Sequence, residues 1–255
     1  MVEPVISTGA ALVGVSAWFL NKLFGPSADA IGEEIKKYGS DRLEKIFKRA
    51  EEKMKNGDVN SLPPGFAGLL IQKASFSEDS SILTDLWAGL ISSASKNFSN
   101  RHSLYLDILS QISSEDAENL LKLYKGMYQE NSTTWPPDKA RFMRSLIFNR
   151  FEEAEEKDSE KEIMKDFPEF PFDGCVIYKR FETVREKSHP KGYRQIWRGY
   201  VQGTSIDISL MSLQRQALVQ AFGFSKTDNN LSVYLEGFEL SWLGAKFVYN
   251  CEGEI

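Results

Sequence analysis

The stretch LPPGFAGLLIQKASFSEDSSILTDLWAGLISSA, Leu62 to Ala94, decides the fold class of this 255-residue chain. Pro63 and Pro64 stop whatever precedes it, a short apolar helix follows, and an acidic, serine-rich turn leads into a second helix. In that second helix Leu83, Leu86, Trp87, Leu90, Ile91 and Ala94 fall on one face, the apolar stripe of an amphipathic helix docked on a core. Ser77, Glu78, Asp79 and Ser80 suit its start. A hydroxyl or carboxylate caps free N–H groups there, and negative charge is favoured at that end. Trp87 is expected to fill space in the core.

Working outward towards the N-terminus, Ser27 to Lys55 reads as a long helical region. Ala30, Ile31, Ile35 and Tyr38 give one stripe, and Leu43, Ile46, Phe47 and Ala50 the next. The charges between them alternate in sign, as on a solvated face with local ion pairs. Gly25-Pro26 breaks the chain before this region. From Pro4 through Asn21 there is no charged residue. A secretory signal is not expected, because Glu3 precedes the run and no lysine or arginine does. A spanning helix needs about 20 predominantly apolar residues, and Ser7, Thr8, Gly9, Gly14 and Ser16 dilute this one. A buried or partner-packed helix is the expectation, with membrane association through residues 4–21 as the alternative.

Towards the C-terminus, Asn97 to Ser103 is a polar turn. Leu104, Ile108, Leu109 and Ile112 then repeat at helical spacing, Ser113-Ser114-Glu115-Asp116 is a cap signal, and Ala117, Leu120, Leu121 and Tyr124 begin a further helix.

Several function classes are constrained by composition. A hydrophobic content of 42% and a charged content of 26% are those of an ordinary soluble globular chain. A net charge of −5 argues against global coating of nucleic acid, though not against a local basic patch. Cys175 and Cys251 are too few for a disulfide scaffold and fit a reducing cytoplasm. His102 and His189, the only imidazoles, exclude a histidine-rich metal site by count, and both are expected in exposed loops. Glu78, Asp79 and Asp85 are the nearest thing to a carboxylate cluster for magnesium, but helix capping and solvation explain them. No nucleophile elbow, phosphate loop, paired cysteines or His-Glu metal spacing is present. No catalytic, cofactor-binding or metal-binding residue is therefore assigned.

Four phrases carry a family likeness: GPSADAIGEEIKK (Gly25–Lys37), LIQKASFSEDSSILTDLWAGLISSAS (Leu70–Ser95), ILSQISSEDAENLLKLY (Ile108–Tyr124) and FELSWLGAKFVYNC (Phe238–Cys251). In this order they resemble the bacterial Abi-alpha family, named for a proposed link to abortive infection against phage. The resemblance implies a role in phage defence and brings no catalytic residues with it.

Gly126 to Gly203 lies outside that pattern and reads as an insertion. Glu152 to Asp166 holds eight acids and three lysines, a solvated helix end or linker. Cys175 to Val184 is β-branched and aromatic, Ser188 to Gly192 is a turn, and a second such run starts at Tyr193: a β-hairpin. Lys179 to Arg198 holds seven basic residues against Glu182 and Glu186, interleaved with aromatics. Lys179, Arg180, Arg185, Tyr193, Arg194, Trp197 and Arg198 are the candidate residues for binding nucleic acid or a partner, since cations meet phosphates and aromatic faces stack on bases. Against this stands a plain surface hairpin, its charges neutralised by the acidic run at Glu152–Glu162.

Beyond Ile206 the pattern reads as a helix running to Phe222 and ended by Gly223, a loop at Ser225–Asn230, a strand pair turning at Glu236-Gly237, and a helix capped by Ser241. That order resembles a winged-helix module, yet Ile206 to Ile255 holds three basic and six acidic residues, which disfavours phosphate contact. The expected architecture is mainly α: a helical core, a small β-hairpin insertion and a winged-helix-like C-terminal module, α+β overall. The expected segments are 1–60, a central core at 61–125, the insertion at 126–205 and the terminal module at 206–255. The expected function is that of a cytoplasmic phage-defence interaction protein whose partner is another protein or a second copy. Nucleic acid through the hairpin, or a membrane met peripherally through residues 4–21, are the alternatives.

Overall fold

The computed structural model describes residues 14–28, 30, 31, 33, 35, 40–55, 59–130, 175–189, 192–201, 208–228 and 231–252. These residues are mainly helical, with an antiparallel sheet towards the C-terminus. They cluster into two units, one of Met1–Ala117 with Phe247–Ile255, the other of Glu118–Lys246.

In the first unit, helix α1 (Ala17–Phe24) is capped by Ser16, whose hydroxyl accepts the Phe19 N–H. It buries Phe19, Leu20, Leu23 and Phe24 and leaves Trp18 60% exposed. Helix α2 (Ser40–Met54) buries Leu43, Ile46, Phe47, Ala50 and Met54, one face of a 3.6-residue repeat. Helix α3 (Pro64–Ser75) starts with proline at its first position, where the missing N–H costs no intrahelical bond. Helix α4 (Ser81–Lys96) starts where the sequence places it: the Ser80 hydroxyl accepts the Leu83 N–H at 3.2 Å. Leu83, Leu86, Trp87, Leu90 and Ile91 are fully buried, each such side chain contributing about 1.5–3 kcal/mol relative to exposure.

Helix α5 spans Arg101–Leu109 and helix α6 spans Ser114–Glu130. Before α6, the Ser113 N–H donates to Asp116 Oδ2 and the Asp116 N–H donates to Ser113 Oγ, a reciprocal capping box. The end of the last helix, α8 (Trp242–Glu252), closes on α4. A Cβ at Gly89 would stand 1.4 Å from the Cys251 carbonyl oxygen, so only glycine allows this approach. Phe247 meets Tyr105 edge-on at 5.8 Å between ring centroids.

In the second unit, helix α7 (Ile208–Arg215) is followed by β3 (Val219–Asp228) and β4 (Leu231–Leu240). With β1 (Cys175–His189) and β2 (Gly192–Val201) they form one four-stranded antiparallel sheet in the order β2-β1-β4-β3. The β1–β2 hairpin is the one expected from the sequence.

Three expectations for the C-terminal part are corrected. The helix does not run to Phe222 but ends at Arg215. The Ala217 and Leu218 N–H groups fold back onto the carbonyls of Gln214 and Leu213, and Ala217 takes a φ of 57°, a Schellman-type end that turns the chain out of the helix. Ser225 to Asp228 belong to β3 rather than to a loop. Leu231 to Leu240 is not two short strands but one, paired on both sides, with Gly237 opposite Phe222 on β3 and Ile177 on β1. Ser241 caps α8 as expected, accepting the Gly244 N–H at 2.9 Å.

Candidate functional site

The seven sequence-selected residues all fall on the β1–β2 hairpin, and the strand register sorts them. Arg198 stands opposite Glu182 and Arg194 opposite Glu186, so these two arginines have acids at the facing positions. Lys179 stands opposite Val201, Arg180 opposite Tyr200, Arg185 opposite Gln195 and Trp197 opposite Thr183. Tyr193 precedes Arg194 on β2. The sheet also brings in β4, which puts Tyr234 opposite Phe181. Sequence grouping missed Tyr234 because it lies far along the chain; the alternation of Leu231–Leu240 was the available signal. The acidic run Glu152–Glu162 lies outside the described residues.

The acids of the opening stretch have structural employment. Asp79 bridges Arg42 at 3.3 Å and Lys45 at 2.5 Å, and the Lys45 ammonium holds its carboxyl below the usual carboxylate range. Asp85 pairs with Arg49. Glu78 accepts the Ser114 N–H at 2.8 Å and the Ser114 hydroxyl at 2.6 Å, which lowers its pKa and places a carboxylate at the start of α6. Arg42 also donates to Ser77 and Thr84; burial is the larger influence on its guanidinium and lowers its pKa. Among the described residues no cluster of three metal-ligating side chains occurs.

His102 corrects an expectation. It is not an exposed loop residue but lies in α5, 3% exposed, stacked on Phe98 at 5.7 Å and edge-on to Phe66 and Tyr105. Its Nδ1 lies 3.0 Å from both the N–H and the carbonyl oxygen of Ser99 and 3.1 Å from the Ser99 hydroxyl. Its Nε2 stands 3.2 Å from the Ser93 hydroxyl, and Ser93 donates onward to Asn250 Oδ1. The Ser93–His102 contact, with Asn250 beyond it, ties α4, α5 and α8 together. Burial pushes the His102 pKa down and the Cys251 thiol well up, so the imidazole is neutral and the thiol protonated at neutral pH. His189 closes β1 rather than lying in a loop.

Two other surface features stand out. Leu69 on α3, Phe76 at the C-terminal cap of that helix and Leu104 on α5 are exposed at 44%, 77% and 45%. Lys73, between the first two along α3, bridges to Asp107 of α5 at 3.0 Å. As for membranes, among the described residues no helix is long and apolar enough to cross one.

The family model described as abortive infection alpha matches residues 36–166, just over half of the chain. The chain belongs to the Abi-alpha family. The match contains two of the four phrases quoted above, Leu70–Ser95 and Ile108–Tyr124. It also takes in Gly126 to Asp166, which the sequence reading assigned to an insertion outside the pattern, and it stops short of Phe238–Cys251. No curated protein and no solved structure matches the chain.

Proposed function

We propose that this protein acts in bacterial phage defence as an interaction protein, through contact with another protein or a second copy of itself. Membership of the abortive infection alpha family carries the reading. The exposed Leu69, Phe76 and Leu104 support it, because large apolar side chains left in water suit a protein partner. The employment of Glu78, Asp79, Asp85 and His102 in capping, ion pairs and packing also favours binding over catalysis. The finer reading of the C-terminal segment belongs here too. Helix α7, the β3–β4 hairpin and α8 follow the helix–hairpin–helix order of a winged-helix-like module, whose acidic balance suits a protein partner better than phosphate.

The test is a plaque assay on cells with and without the gene. Reduced plating of some phages is expected, and the double replacement of Leu69 and Phe76 by glutamate is expected to abolish it while leaving the circular dichroism spectrum intact. Unchanged plating across a broad phage panel would remove the defence reading.

A further inference from the structure

A helix on the surface of a soluble protein turns an apolar face to the core and a charged face to water. Helix α2 follows this rule: the described positions it exposes, Asp41, Lys45, Lys48, Arg49 and Glu52, are all charged. Helix α3 does not. It buries Phe66, Ala67, Leu70, Ile71 and Ala74, yet its exposed positions Pro64, Gly65, Leu69 and Gln72 carry no charge either. Gly65, Leu69 and Gln72 recur at four and three residues and form one outer row. Phe76, the C-cap residue, keeps a helical backbone and continues that row four residues further on.

The Lys73–Asp107 bridge holds α5 beside this row. Leu104, three residues before Asp107, shares its side of α5. Gly65 is a further mark. Glycine weakens a helix, and a Cβ at Gly65 would meet nothing within 4 Å, so packing within the chain does not require it. All of these residues lie in the first unit.

We propose that the outer row of α3, with the adjoining side of α5, is the contact surface of a two-fold dimer of this protein. The proposal rests on the interaction reading above and narrows it to a second copy. The row is self-complementary. When two copies of α3 lie antiparallel about an axis level with Leu70 and Ile71, Gly65 faces Phe76 and Leu69 faces Gln72. The Phe76 ring of each copy then enters the space left by Gly65 of the other. Charge fits this occupant as well: the Lys73–Asp107 bridge meets its own reversed copy, so each charge has an opposite charge across the axis. A chain of net charge −5 repels its own copy in general, and that repulsion is least at an uncharged row. Nucleic acid or an anionic membrane gains little from such a row. With α3 about 18 Å long and the two helices about 20 Å wide, the contact covers roughly 350 Å² on each copy, under half the ~800 Å² of a standard interface. The dimer is accordingly weak, with a Kd on the order of 10–100 μM.

The test is sedimentation velocity of the full chain from about 1 to 300 μM, a range that brackets this Kd. The mass is expected to rise from one chain towards two. Gly65→Leu fills the space that receives Phe76, and Leu69→Glu puts a charge into the row; each is expected to weaken the dimer about ten-fold or more. Circular dichroism identifies any variant that fails to fold. Leucine is the better helix former at position 65, so Gly65→Leu keeps the comparison informative if Leu69→Glu does not fold. Lys73→Asp is expected to weaken the dimer through like charges, and Lys73→Asp combined with Asp107→Lys to restore it. Trp18→Glu changes an exposed apolar residue of α1, outside the row, and is expected to leave the dimer unchanged. Four results would each overturn the proposal: one-chain mass at every concentration, mass growing past two chains, a dimer indifferent to Gly65→Leu, or Trp18→Glu costing as much as Leu69→Glu. If the chain stays monomeric while Leu69→Glu abolishes phage defence, the dimer falls and the interaction reading stands with another protein as partner. A dimer that forms as described in a protein without effect on plating removes the defence reading and leaves the dimer in place.

Discussion

Replacing Gly89 by alanine sets two effects of opposite sign against each other. In a helix interior alanine is favoured over glycine by about 0.5–1 kcal/mol, since glycine loses more backbone freedom on folding. Against that gain, the new Cβ would stand 1.4 Å from the Cys251 carbonyl oxygen, 2.4 Å from its carbon and 3.2 Å from its Cα. All three are backbone atoms, so no rotamer change relieves the overlap. An ordinary contact requires α8 to retreat from α4 by about 2 Å. Phe247, Val248 and Cys251, each fully buried, would move with it. Overpacking costs typically about 1–3 kcal/mol, occasionally more, and a clash of backbone against a helix interior belongs at the upper end. A net loss of about 2–3 kcal/mol is expected, which for a chain of this size lowers Tm by roughly 4–12 °C. Thermal and urea unfolding followed by circular dichroism measure it, with Gly68→Ala as control. A Cβ at Gly68 meets nothing within 4 Å, so that variant is expected to gain up to about 1 kcal/mol. If Gly89→Ala is as stable as Gly68→Ala, the close approach of α8 to α4 is refuted.

Ser80→Ala removes the hydroxyl that accepts the Leu83 N–H and is expected to cost about 1 kcal/mol in urea unfolding. Ala217→Gly relieves a φ of 57° at the end of α7 and is expected to raise stability by about 0.5–1 kcal/mol, read as a shift in the urea midpoint. His102 makes stability depend on pH. Burial lowers its folded pKa below the unfolded value of about 6.5, so the unfolded chain binds the proton first as pH falls. The contribution is complete above about pH 6.5 and is lost as pH drops towards the folded pKa. Unfolding curves between about pH 7.5 and 5 should show that decline, and His102→Gln should flatten it; an unchanged slope would mean that His102 does not titrate there.

Where signal and structure were local, the sequence was readable. The two helices of Leu62–Ala94 carry period, cap and stop within one stretch, and α3 and α4 lie where those marks place them. The β1–β2 hairpin announces itself through β-branched and aromatic residues around a Pro/Gly turn. Residues that depend on distant partners were misread. Leu218 and Phe222, four residues apart, fit a helical period and an alternating one alike, and the pairing of Phe222 with Gly237 of β4 decides in favour of the strand. His102 follows a polar turn and looks exposed; Phe66, Phe98 and Tyr105 bury it, and no local pattern brings those rings together. Asp79 was legible as a residue near a helix start, but its ties to Arg42 and Lys45, more than thirty residues away, were not. For the candidate binding residues, residue type was visible while the facing positions across the ladder needed the register.

The seat that Gly89 provides has a consequence for how the chain comes to be folded. The first unit is discontinuous: its last piece, Phe247–Ile255, is made only after more than a hundred residues of the other unit have followed Ala117. Synthesis at about 5–20 residues per second puts on the order of ten seconds between the two events. Throughout that interval the groove at Gly89 stands vacant on the nascent chain, and the hydroxyl of Ser93 waits for Asn250, which lies 157 positions ahead. Completion of this core is therefore a late, long-range closure, slowed by the entropy of the intervening loop. The nascent protein must carry an uncovered apolar surface until its final helix arrives, which makes that interval its period of greatest exposure to chaperones and proteases.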